Sequence, residues 1–155
     1  MRISRLQAPA WVLLLALLTG APALADGPLP RVSVASRHDF AATLVRLQDA
    51  VASNGLGVVT KANAQNGARS LGVNIQGNQV WGIFGPRFAV RMLGASVEAG
   101  IEAPVRLYIV ESPEGKVSVS YVKPSVVFAP YGNKALDAMA RELDSLFERI
   151  VAAVR

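Results

Sequence analysis

Pro104-Val105-Arg106-Leu107-Tyr108-Ile109-Val110 and Lys116-Val117-Ser118-Val119-Ser120-Tyr121-Val122 read as two strands joined by a turn carrying Ser112-Pro113-Glu114-Gly115. Side chains of a strand point alternately to its two faces, so each run sorts itself into two rows. Proline and glycine between the runs mark a reversal of direction, which makes the pair an antiparallel hairpin. Requiring the aliphatic side chains to share a face sets Ile109 opposite Val117, Leu107 opposite Val119 and Val105 opposite Tyr121. The other face then carries Arg106, Tyr108, Ser118 and Ser120, the candidate ligand-binding residues of the chain. A half-exposed antiparallel pair also shows one wet face for no reason beyond solvation.

Outward from the hairpin, helices and strands interleave. Leu136, Met139, Leu143, Leu146, Ile150 and Val154 recur at steps of three and four, the buried stripe of a helix from about Lys134 to Val154 capped by Asn133. Asp137 and Arg141 stand one turn apart on its charged side, spaced for a surface pair. Upstream, Gln79 to Phe84 is a strand with apolar residues on both faces, which predicts a position inside the sheet with both sides covered. Pro86 opens a short helix with Phe88, Met92 and Leu93 directed inward, and Ala95 to Ala103 is irregular. Near the start, Arg31 to Ser36 is a strand. The helix after it, from about Asp39 to Ser53, buries Phe40, Leu44, Leu47 and Val51. A further strand follows over Leu56 to Lys61, and Asn63 to Ser70 reads as a loop with at most a weak helical turn. The expected architecture is an α+β two-layer sandwich: a mixed sheet, a late antiparallel hairpin and a long C-terminal helix.

Missing residue types narrow the chemistry. The chain has no cysteine and one histidine, which removes thiol catalysis, iron–sulfur ligation, c-type haem attachment and a His/Cys zinc site. Glu98 with Glu102 and Glu111 with Glu114 are too scattered for a carboxylate cage, and no glycine-rich phosphate loop or dinucleotide fingerprint occurs. No cofactor, metal or catalytic residue is therefore assigned. His38-Asp39 resembles a base with its orienting acid, but Ser36 lies three residues ahead of Asp39 before an apolar helical run, the spacing of a capping box. That places His38 in the first helical turn.

The first 25 residues have the three parts of a secretory signal. Arg2 and Arg5 supply the positive start, Ala10 to Leu18 is apolar, and Ala23-Leu24-Ala25 puts small residues ahead of Asp26. The apolar run falls short of the roughly 20 residues that span a bilayer. Cleavage between Ala25 and Asp26, a short linker over residues 26–31 and a single domain over 32–155 are expected, leaving no stable membrane anchor and a periplasmic or secreted location. The leader holds two arginines and no acid, so its loss lowers the net charge from +5 to +3. Lys61, Arg69, Arg87, Arg91 and Arg106 are isolated rather than striped, which argues against nucleic acid as a partner.

From Val32 to Val154 the chain resembles domain-of-unknown-function family 302. The resemblance lies in Gly55-Leu56-Gly57-Val58-Val59, in Gly82-Ile83-Phe84-Gly85-Pro86, and in Ala103 to Tyr108 running through Glu111 and Gly115-Lys116-Val117 to Ser120-Tyr121. It implies an α+β sandwich and a homodimer. Members commonly carry a cysteine-asparagine-proline step where this chain has Phe84-Gly85-Pro86, so any role of that thiol or amide is absent and the loop is structural. The leading functional expectation is an exported, non-catalytic module that binds a small molecule or a periplasmic protein. The alternative is an enzyme whose polar site is Arg106, Tyr108, Ser118 and Ser120, with Arg106 holding an anion and Tyr108 or Tyr121 donating a proton. A third is an assembly role in which the C-terminal helix recruits a partner.

Overall fold

The computed structural model describes residues 29–155. The leader and its expected cleavage point at Ala25 and Asp26 lie outside the described residues. Strand β1 (Arg31–Ala35) leads into α1 (Phe40–Ser53), then β2 (Gly57–Asn63) and α2 (Ala64–Ser70). Next come β3 (Asn78–Phe84), α3 (Pro86–Ala95), a 3-10 turn over Glu98–Glu102, β4 (Val105–Glu111) and β5 (Val117–Val122). A short α4 (Pro124–Phe128) and the long α5 (Lys134–Ala152) close the chain.

The five strands form one sheet in the order β1-β5-β4-β3-β2, and every pairing is antiparallel. The expected mixed sheet is thus corrected. Strands β1 and β2 do run in the same direction, as a helical crossover between them requires. They sit on opposite edges with three strands between them, so no parallel pair forms. The hairpin register is also displaced by two residues. Ile109 pairs with Val119 and Glu111 with Val117, which places Leu107 beside Tyr121. A slip of two residues preserves the faces, so both sets of side chains stay where the alternation puts them. The turn decides between the two registers. Gly115 N–H donates to the Ser112 carbonyl at 2.9 Å and Gly115 has φ +76, leaving Pro113 at the second turn position, which its ring favours.

Helices cover one face of the sheet only. Trp81, Ile83, Leu107, Ile109, Val117 and Val119 meet α1, α3 and α5, and the expected stripe of α5 from Leu136 to Val154 is buried throughout. Burying side chains of this size is worth roughly 1.5–3 kcal/mol each. Asn133 Oδ1 accepts from the amides of Ala135 and Leu136 at 2.9 and 3.3 Å, the expected cap of α5. The Asp137–Arg141 pair does not form. Among the described residues the ion pairs are Arg91–Glu142 and Lys123–Glu148, which tie α5 to α3 and to the end of β5.

Local corrections follow from competing polar contacts. Asp39, not Ser36, caps α1, its carboxylate accepting from Ala42 N–H at 2.8 Å. Ser36 Oγ accepts from His38 N–H at 3.1 Å and donates to Thr43 Oγ1 at 2.7 Å, while Thr43 donates to the Asp39 carbonyl. His38 therefore precedes the helix. The Asn63–Ser70 region is a true helix, capped by Asn63 through Asn66 N–H at 2.9 Å, although it buries nothing. Leu93 of α3 points outward, 46% exposed.

Candidate functional site

The uncovered face of the sheet carries three rows of side chains running across the strands. Arg31 pairs with Val122, and Arg106 with Gly82, which in turn pairs with Thr60. Continuing the β4–β5 register by two residues sets Arg106 beside Val122. In the next row lie Ser33, Ser120, Tyr108, Val80 and Ala62, and in the third Ala35, Ser118, Val110 and Asn78. Strand β3 is therefore interior but, contrary to the expectation from its apolar pattern, covered on one side only. Its open side is filled instead by small side chains: Gly82 lies under Thr60 and the Pro104 ring, where a Cβ would come within 2.6 Å of Pro104 Cγ.

Three of the four sequence-derived candidates come together. Arg106, Tyr108 and Ser120 line a cavity of about 230 Å³ together with Arg31, Val80, Tyr121 and Val122. Ser118 shares the face but stands one row away, between Ala35 and Val110, outside the cavity. Tyr121 presents its ring to the opposite, covered face, where it packs on Phe147 with ring centroids 5.2 Å apart. The proton-donor role considered for it beside Arg106 is thereby overturned.

Arg31, expected at the junction of the linker and the first strand, is not among the sequence-derived site residues. The signal was present, since Arg31, Ser33 and Ala35 alternate with Val32 and Val34 and must share the face opposite the valines. What the linear chain lacked was the partner of β1, whose pairing with β5 sets Arg31 two strands, about 10 Å, from Arg106.

The polar groups of this face are held in definite states. Tyr108 Oη accepts from Asn78 Nδ2 at 2.7 Å, which holds the ring and leaves its own proton uncommitted among the described residues. Neither arginine has an ion-pair partner among the described residues. None of the three rows contains a carboxylate. Beyond Arg106 a second cavity of about 510 Å³ opens, lined by Thr60, Val80, Ile101, Glu102 and Pro104, so Arg106 sits between two hollows. Glu102, the acid in that hollow, accepts from Tyr131 Oη at 3.0 Å. Partial burial first, and then the Glu102 carboxylate, hold the Tyr131 hydroxyl above its ordinary pKa.

Elsewhere the candidates of chemistry recede. Asp39 is engaged in its cap, and among the described residues no hydrogen bond joins it to the His38 imidazole, so the two do not form a base and orienter. Among the described residues no three His, Asp or Glu side chains group as metal ligands, and no helix is long and apolar enough to cross a membrane. Phe84 and Gly85 help line a small apolar hollow of about 30 Å³, and a Cβ on Gly85 would meet Leu56 Cδ2 at 2.6 Å. That step serves packing.

The sequence profile of the family described as a domain of unknown function, DUF302, matches residues 32–154. The chain belongs to the DUF302 family. In fold it is similar to the crystal structure of an uncharacterized conserved DUF302 protein from Bacillus stearothermophilus, with a TM-score of 0.73 at 17% sequence identity. The likeness covers 81% of this chain and 98% of that one. No curated protein matches the chain. DUF302 membership accounts for the α+β sandwich; the open, arginine-bearing face is described from this chain's own residues.

Proposed function

We propose that this DUF302 chain is an exported, non-catalytic binding module whose working surface is the uncovered face of its sheet. The observation that carries the proposal is the cavity of about 230 Å³ on that face, where Arg31, Arg106, Tyr108 and Ser120 converge with no carboxylate in their rows. Cations without an ion-pair partner among the described residues, and a hydroxyl proton uncommitted there, are donors suited to an external acceptor. An enzyme at this position would require a base to activate Ser120 or Tyr108, and neither an imidazole nor a carboxylate stands in the same rows. Export rests on Arg2, Arg5, the apolar run Ala10 to Leu18 and Ala23-Leu24-Ala25, and sets the partner's compartment as the periplasm or the exterior. If the module is a homodimer, as the family resemblance implies, a two-fold contact through this face would oppose Arg31 and Arg106 with their own copies. The dimer is expected to use another surface.

Native mass spectrometry of the protein recovered from the periplasmic fraction tests the whole reading. A chain beginning at Asp26 that retains a ligand or protein partner, released by Arg106→Gln, is the expected result. An uncleaved chain confined to the cytoplasm would end the export reading, and a cleaved chain that binds nothing would end the binding reading.

A further inference from the structure

Resting on the reading of the open face as a binding surface, we propose that Arg31 and Arg106 form one site for the oxyanion head, carboxylate or phosphate, of a small amphiphilic molecule. The two arginines come from β1 and β4, on either side of Val122 of β5, in a single row across three strands. Strand spacing sets their backbones about 10 Å apart. Both side chains line the one cavity beside Val122, so their guanidiniums can address a single ligand from its two sides. Each guanidinium is planar and offers parallel N–H donors that match two oxygens of a carboxylate or phosphate. The adjoining row adds Ser120 and the Tyr108 hydroxyl, whose proton is free because Asn78 already donates to its oxygen. Every polar group facing this cavity is thus a donor or a hydroxyl.

A positive cluster at a surface ordinarily recruits its own acids. Here the acids of neighbouring elements are committed elsewhere: Glu102 accepts from Tyr131 Oη, and Glu111 accepts from Gly77 N–H at 3.1 Å. Among the described residues neither arginine has an ion-pair partner, which leaves room for an external counterion.

The walls specify the rest of the molecule. Val80 belongs to both hollows, and beyond it the larger one is bounded by Pro104 and Ile101, the latter 83% exposed, with Thr60 and Glu102 also in its lining. Apolar surface left in water beside a cation pair fits a ligand with a short apolar body behind its charged head. Inorganic phosphate satisfies the head alone, so an apolar tail is expected to add affinity.

Two-dimensional NMR of the purified, isotope-labelled protein titrated with hexyl phosphate, hexanoate, inorganic phosphate and hexanol provides the test. Saturable shifts at Ser33, Tyr108 and Ser120 are expected with hexyl phosphate or hexanoate, and whichever binds tighter identifies the head. Binding weakens about tenfold in Arg31→Gln and again in Arg106→Gln, as loss of a charge-assisted donor pair implies. Arg106→Lys, which keeps the charge but not the fork, is expected to recover only part of the affinity. Native-like spectral dispersion in each variant separates lost binding from lost folding. Inorganic phosphate binding as tightly as hexyl phosphate would overturn the apolar tail. Hexanol binding as tightly as the anions, or anion shifts indifferent to both glutamine variants, would overturn the oxyanion site while leaving the open-face reading intact. That wider reading fails only if no probe and no natural partner perturbs the face.

Discussion

The two faces of the sheet are built from the same strands and diverge completely. In β4, Leu107 and Ile109 are fully buried under α5 and its neighbours, while Arg106 and Tyr108 between them look out across open rows. Residues one position apart in sequence therefore answer to different demands. On the covered side, volume and shape decide; on the open side, charge and hydrogen-bond direction do. Stability and the proposed recognition are divided by the pleat, so substitutions can probe one nearly without the other.

The largest effect is expected on the covered side. Leu107→Ala removes a fully buried side chain at the middle of the sheet and should cost about 2–5 kcal/mol, read as a lower denaturation midpoint in urea. A change below 1 kcal/mol would mean that this face is less tightly packed than its burial indicates. Gly82→Val tests whether the open side is uniformly tolerant. Its added carbons meet Thr60 Oγ1 and the Pro104 ring, so a loss of about 1–3 kcal/mol is expected although the residue faces away from the helices. Smaller still, Arg106→Gln should leave stability within about 0.5 kcal/mol while abolishing most binding at the open face, which calorimetry and ligand titration measure separately.

Tyr121→Phe gives the smallest effect at neutral pH. The Tyr121 hydroxyl is buried and has no hydrogen-bond partner among the described residues, so its removal should change stability by less than about 0.5 kcal/mol and leave binding unchanged. In alkali the two proteins separate. Burial chiefly, then the Glu148 carboxylate, raise the Tyr121 pKa above its usual value near 10.0. The unfolded chain then releases this proton at lower pH than the folded one. The stability this tyrosine contributes is complete below its unfolded pKa and is lost as pH climbs through the folded one. Urea midpoints followed upward from pH 9 should therefore fall more steeply in the parent than in the phenylalanine variant, and parallel curves would refute the assignment.

Legibility from the sequence tracked how local each determinant is. The alternation of β4 and β5 and the α5 stripe were readable because a period of two or 3.6 lies within one segment. The candidate set Arg106, Tyr108 and Ser120 followed from the same alternation. The hairpin register was misread by two residues because face-matching admits any even shift, and only the φ-positive demand at Gly115 selects one. The sheet type was misread because the direction of β1 and β2 is set by the crossover, whereas their neighbours are set by the three strands inserted between them. Arg31 went unread for the same reason: its role depends on β5, far along the chain. Ser36 has the spacing of a cap, but Thr43 offers it a side-chain partner that a one-dimensional pattern does not register.

The pairing of β1 with β5 has a kinetic corollary. These strands are the first and last of the sheet in sequence, and contacts of such separation close late because the intervening chain must first be ordered. The β2-β3-β4-β5 meander can assemble with Arg106 in place and Arg31 still loose. The proposed anion site is then complete only in a chain whose β1 has met β5, so full-strength anion binding would report completed folding, and a half-assembled molecule would hold its anion more weakly.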